Sequence, residues 1–192
     1  MTRGILAGVV WVVAAVGLAA CHKSRTPEEA FARLAEAVAA NDAGALFDAL
    51  DKRSRWAWMT VQKSHREAYD IVLSNYPEGR DREREQRRFE RAAQLGSARE
   101  LFIQEVGAAA LAKFPRPLPA LVRINMETGG ESAFAVVASH LSLPFRKGPD
   151  GTWGYAGLAD DAEERQKRAL GDVELVRVNA ADYERAAARN AR

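Results

Sequence analysis

Three histidines and a single cysteine are the side chains of this 192-residue chain best suited to chemistry near neutral pH. His65 and Tyr69 stand four residues apart in a segment of helical periodicity, so they share a face, with Trp58 on nearly the same stripe and Asp70 adjacent. Such a grouping could line a pocket with an acid–base pair. It equally suits a helix whose amphipathic residues straddle the core edge, with His65 hydrogen-bonded. His140 falls in an alternating segment, sharing a face with Phe134, Val136 and Ser142 and opposing Ala135, Val137 and Leu141. Both faces are apolar, so the strand is expected to be covered on both sides, and burial would lower the His140 pKa. Trp58, His65, Tyr69 and His140 are therefore the candidate ligand-binding residues, with a structural role competing at each. The lone thiol, Cys21, excludes an intramolecular disulfide, and with His22 as the third histidine a Cys/His zinc site lacks ligands. No metal or cofactor is expected. Gly-x-Ser-x-Gly, His-Glu-x-x-His, a phosphate-binding glycine loop and an EF-hand are all missing, which counts against hydrolase, metalloprotease and nucleotide-binding roles.

Cys21 has a different chemistry in view. Arg3 is the only charge ahead of it, and Gly4 to Ala20 is uncharged and mostly apolar, the pattern of a secretory signal. The run is short and rich in Ala and Gly for a membrane-spanning helix. Leu18-Ala19-Ala20-Cys21 resembles the lipobox of bacterial lipoproteins, whose cysteine is acylated and becomes the first residue after cleavage. The resemblance implies a signal peptide over 1–20, lipid attachment (palmitate among the acyl chains) at Cys21, and a partner that is the membrane itself. Acylation would also remove an unpaired thiol from an oxidising compartment. Each buried methylene contributes ~0.8 kcal/mol, and the two or three chains of that family make an effectively permanent anchor. Residues 21–26 would form the tether, of which the five from His22 to Thr26 reach at most about 18 Å when extended. Lys23 and Arg25 lie in it, where a basic residue gains about 1 kcal/mol near anionic lipid. His22 in place of Asp resembles the pattern of lipoproteins sent to the outer membrane of hosts with two membranes.

After the leader, about 170 residues suit one domain, 27–192. A formal net charge of +2 lacks the basic excess of a nucleic-acid binder, and export argues the same way.

The elements that must position these residues are legible in part. Thr26-Pro27-Glu28-Glu29 reads as an N-cap, a first-turn proline and a capping box, followed by Phe31, Leu34, Ala35 and Val38 at helical spacing. Asn41-Asp42 breaks the pattern and caps a short helix with Leu46, Phe47 and Leu50. A longer helix is expected from about 54 to 74, with Trp56 and Trp58 pointing apart, one into the core and one outward, where tryptophan favours a membrane interface. After the Tyr76-Pro77-Glu78-Gly79 turn comes a charged helix over 80–91 with Phe89 as its apolar residue and Glu83–Arg87 spaced as an i,i+4 pair. Ser97 to Glu100 forms a second capping box, opening a helix with Leu101, Phe102, Glu105 and Val106. Prolines at 115, 117 and 119 end the helical half.

Leu121 to Glu127 reads as a strand with Val122, Ile124 and Met126 on one face. Gly129-Gly130 is a hairpin turn, Ala133 to Phe145 the returning strand, and Thr152 to Gly157 a third strand. Asp160 to Arg168 is a helix whose acids precede its bases, stopped at Gly171. Val173 to Val178 reads as a fourth strand or connector, and Asn179 as the cap of a last helix. Helices first and an antiparallel sheet later make an α+β fold, N-terminal helices packed on a small sheet and followed by C-terminal helices.

Two stretches are similar to the NTF2-like, or SnoaL-like, family: Ala30-Phe31 through Asp42 to Leu50, and the Asp150-Gly151-Thr152-Trp153 hairpin. That resemblance implies helices on a curved sheet around a cone-shaped cavity, and brings no catalytic residue with it. The charged helix at 80–91 and about 30 residues after Leu158 depart from the minimal fold. The expected function is thus a membrane-anchored envelope lipoprotein with a non-catalytic binding role, for a small ligand or an envelope protein. The alternative is an NTF2-like carrier or enzyme with its pocket near His65, Tyr69 and His140.

Overall fold

The computed structural model describes residues 23–191; the leader, Cys21 and His22 lie outside them. The fold is α+β. Helix α1 (Pro27–Ala39) begins where Thr26 Oγ1 accepts the Glu29 amide, and it buries Ala30, Phe31, Leu34, Ala37 and Val38. The chain turns at Asn41, held at φ 51°, and Asp42 accepts the amides of Gly44 and Ala45 to start α2 (Ala43–Ala49). Helix α3 (Lys52–Asn75) starts earlier than its periodicity suggested, because Asp51 is the cap: its carboxylate accepts the Ser54 amide at 3.0 Å. The charged helix α4 (Arg80–Gln94) buries the narrow stripe Phe89, Ala92 and Ala93, and its Glu83 and Arg87 pair at 3.8 Å. Ser97 caps α5 (Ala98–Phe102), which runs through a π-helical turn (Ile103–Gly107) into α6 (Ala108–Leu111). Gly107 permits that turn to touch α2: a Cβ there would lie 2.6 Å from the Ala43 methyl.

The sheet is an antiparallel meander, β1 (Leu121–Met126), β2 (Ser132–Val137), β3 (Ser142–Lys147) and β4 (Trp153–Tyr155), in the order β1-β2-β3-β4. The expected single strand 133–145 is two. Thirteen extended residues would span about 43 Å, twice an ordinary strand. The chain instead folds back at 138–141, pairing Ala135 with Leu143 and Ala133 with Phe145 on the buried face. His140 therefore sits in an exposed turn at φ 63°, not in a covered strand, so the expected burial does not occur. The face assignment of β1 also changes. A bulge between Leu121 and Arg123 turns Leu121 toward the core, opposite Val137, and leaves Val122 62 % exposed.

The last expected boundary is absent. One helix, α7 (Ala159–Asn190), continues through Gly171, the segment 173–178 and Asn179. Gly171 costs about 1 kcal/mol in a helix interior. Val173 and Val176, buried together at helical spacing with Ala169 and Ala180, return about 1.5–3 kcal/mol each, so helix wins. They pack on Ala68, Val72, Tyr76 and Phe89 in a second core between α3, α4 and α7. The main core lies between the sheet, α1, α2, α3, α5 and α6. Among the described residues no helix is long and apolar enough to cross a membrane.

Candidate functional site

Three helical layers meet at Arg165. α3 supplies Trp58 and His65, the α5–π–α6 segment supplies Phe102, Glu105 and Val106, and α7 supplies Arg165 and Ala162. Two adjoining clefts result. One, of about 260 Å³, has an apolar floor of Trp58, Phe102, Val106, Ala110, Leu158 and Ala162. Its rim carries Lys113 and Asp161, paired at 2.7 Å, and Arg168 and Glu164, paired at 3.0 Å. The other, of about 380 Å³, is polar and is bounded by His65, Arg88, Arg91, Gln104 and Glu105. Arg165 walls both. Its Nη1 donates to Glu105 Oε2 at 3.0 Å, and its guanidinium lies 5.4 Å from the centre of the Trp58 ring. The π-helical turn matters here, since it carries Gln104, Glu105 and Val106. Such one-residue expansions of a helix recur at functional sites.

Trp58 is held by the core as well as by the cleft. It is 2 % exposed and meets Phe102 edge-on at 5.4 Å, while Trp56 is 53 % exposed on the opposite side of α3. His65 is half-buried, with its ring 5.8 Å from that of Phe89. Its Nδ1 is buried and makes no hydrogen bond. A polar atom left so costs about 1–3 kcal/mol, which a ligand or a water could recover. Desolvation lowers the His65 pKa; the carboxylates of Glu105 and Asp172 oppose the shift and Arg88 reinforces it. Burial thus favours the neutral imidazole. No Ser, Thr or Cys lines either cleft, so His65 has no nucleophile beside it to activate there.

Of the four candidate residues, the structure brings Trp58 and His65 to adjoining clefts and separates the others. Tyr69, one turn beyond His65, packs partly buried against the second core. His140 is at the exposed β2–β3 turn, and Asp70 is exposed on α3. Neither Tyr69 nor His140 lines either of the two clefts. Arg165, Glu105 and Phe102 are the residues that sequence reading did not assign to a site. Glu105 and Arg165 are 60 positions apart, and nothing local marks them as partners.

The walls are ionic but balanced. Arg88 pairs with Asp172 and Glu85, and Arg91 donates to the Gln104 amide oxygen. The arrangement suits a small amphipathic ligand, with its apolar part on Trp58, Phe102 and Val106 and an acceptor toward Arg165. Among the described residues no group of three or more His, Cys, Asp and Glu side chains could hold a metal ion. Comparison of the chain with protein-family models, with characterised proteins and with solved structures finds no match.

Proposed function

We propose that the protein is an envelope lipoprotein that works by binding, with residues 1–20 removed and its domain held at the membrane, the outer one in a host with two, by lipid on Cys21. The observation that carries the reading is the tetrad Leu18-Ala19-Ala20-Cys21 at the end of an apolar leader. The packing of Ser24 supports it. Ser24 is only 3 % exposed, and its carbonyl accepts the Trp153 amide at 2.8 Å, so a residue of the stretch expected to be free tether is part of the domain. From Cys21 to Ser24 the chain spans at most roughly 11 Å. A domain so close to its anchor acts on what lies at or near the bilayer. The test is the intact mass of protein extracted from its native membrane. The expected mass is that of residues 21–192 plus acyl groups on Cys21; a thiol left unmodified, or a leader still attached, refutes the reading.

The cleft beside Arg165 is the binding site in this reading. Solvent extraction of the purified protein should release an amphipathic molecule, and Trp58→Ala should reduce its yield. If extraction releases nothing and pulldowns from solubilised membranes recover no envelope protein, a binding role is refuted.

A second reading, an NTF2-like carrier, is supported by α1 packed on β2, β3 and β4 and by the Asp150-Gly151-Thr152-Trp153 hairpin, where Thr152 Oγ1 donates to Asp150 Oδ1 at 2.7 Å. It predicts ligand uptake at the sheet face, so loss of binding on Trp58→Ala with none on sheet substitutions speaks against it.

A further inference from the structure

The contacts of Ser24 and Arg25 also select one face of the domain. Ser24 pairs with Trp153, and the next residue, Arg25, donates from Nη1 to the Asp150 carbonyl at 3.2 Å. The Asp150 carboxylate lies 3.7 Å from Lys52 Nζ, and that ammonium stands 4.9 Å from the centre of the Trp56 ring. Three consecutive contacts thus link Arg25, near the expected anchor, to an exposed tryptophan. Met59 follows Trp56 by three residues on the same face of α3 and is 56 % exposed. Lys52 stands over the Trp56 ring and Lys63 lines the same surface cleft as Trp56 and Met59, while Arg25 lies at the Asp150 end of the link. Among the described residues Lys63 makes no ion pair, and Arg25 gives its guanidinium only to a carbonyl. Other exposed apolar side chains, such as Val122 on β1 and Leu175 on α7, have no such link to the tether.

The geometry points to this Trp56–Met59 face as a surface that docks on an anionic lipid bilayer beside the Cys21 anchor. Tryptophan settles at the depth of lipid headgroups. Lysines and arginines around it gain from anionic headgroups. Acyl chains three residues before Ser24 hold the patch at high local concentration over the bilayer, so weak contacts suffice. The inference rests on the lipid-anchor reading, and the experiment separates the two.

The acylated protein is purified from its membrane and placed in phosphatidylethanolamine/phosphatidylglycerol vesicles, with and without bromine on the acyl chains. Trp58 and Trp153 are 2 % and 7 % exposed, so Trp56 is the one tryptophan of the processed chain open to lipid. Bromolipid should quench the emission, and Trp56→Phe should abolish the bromolipid-dependent part. Met59→Asp should reduce that quenching without changing the melting temperature, and phosphatidylcholine vesicles should quench less. If protein that floats with the vesicles and carries the acyl mass shows no bromolipid quenching, or keeps it in Trp56→Phe, docking is overturned while the anchor stands. If the protein neither floats nor carries acyl groups, anchor and docking fall together.

Discussion

Replacing Asp51 by alanine tests whether the helical half and the sheet are joined as described. This carboxylate is 1 % exposed and does two jobs. Oδ1 accepts the Ser54 amide at 3.0 Å, capping α3, and Oδ2 accepts Arg146 Nη1 of β3 at 3.0 Å. Its own amide donates to the Tyr155 carbonyl, a bond that alanine would keep. Close packing accompanies these bonds: a Cβ on Gly154 would stand 2.5 Å from the Leu50 carbonyl oxygen. Losing the cap costs about 1 kcal/mol. Losing the pair would cost about 3–5 kcal/mol if it stranded a fully buried charge. Arg146, however, is 36 % exposed, and water recovers much of that. The sum is about 2–3 kcal/mol, or roughly 5–10 °C in melting temperature for a domain of this size. Arg146→Met should cost at least as much as the pair's share in Asp51→Ala, because the carboxylate it abandons is the buried partner. The double variant should then cost about 1–2 kcal/mol less than the two single changes together. Urea unfolding followed by far-UV circular dichroism measures all three. A loss below about 1 kcal/mol in Asp51→Ala, or strict additivity, would refute the description of this junction.

Three further outcomes are expected. Gly171→Ala should stabilise the protein by about 0.5–1 kcal/mol, since Gly171 is exposed inside α7 and a Cβ there meets nothing within 4 Å; a destabilised variant would mean the helix ends there. Phe102→Ala should cost about 3–5 kcal/mol, because this 1 % exposed ring supports both Phe47 and Trp58; a change under 1 kcal/mol in chemical unfolding would contradict that packing. Burial lowers the folded pKa of His65 below the 6.5 of the unfolded chain. As pH falls below about 6.5 the unfolded chain takes up the proton first, and stability declines until pH passes the folded pKa. His65→Gln should therefore flatten the decline of stability that sets in as pH falls below about 6.5, and unchanged slopes in paired melting curves would exclude the effect.

Much of the fold is legible in short stretches, because caps and turns are settled within about four residues. Thr26, Asp42 and Ser97 cap the helices that their positions announce, and Gly129-Gly130 makes its turn with both glycines at positive φ. The alternation of β2 and the stripe of α3 follow from burial on one side of a periodic element. Other features depend on what lies across the interior. Val173 and Val176 are β-branched residues after a glycine, a local argument for strand, and they are helical because α3 and α4 present an apolar groove to them. His140 leaves the sheet because Leu143 and Phe145 must return to the face shared with Ala133 and Ala135. The candidate site belongs to this second kind. Trp58 and His65 could be read from their stripe, but Arg165 and Glu105 meet only when α7 closes on the π-helical turn. A local pattern fixes which way a side chain leaves its own backbone; which side chain it then faces depends on the packing of elements remote in the chain.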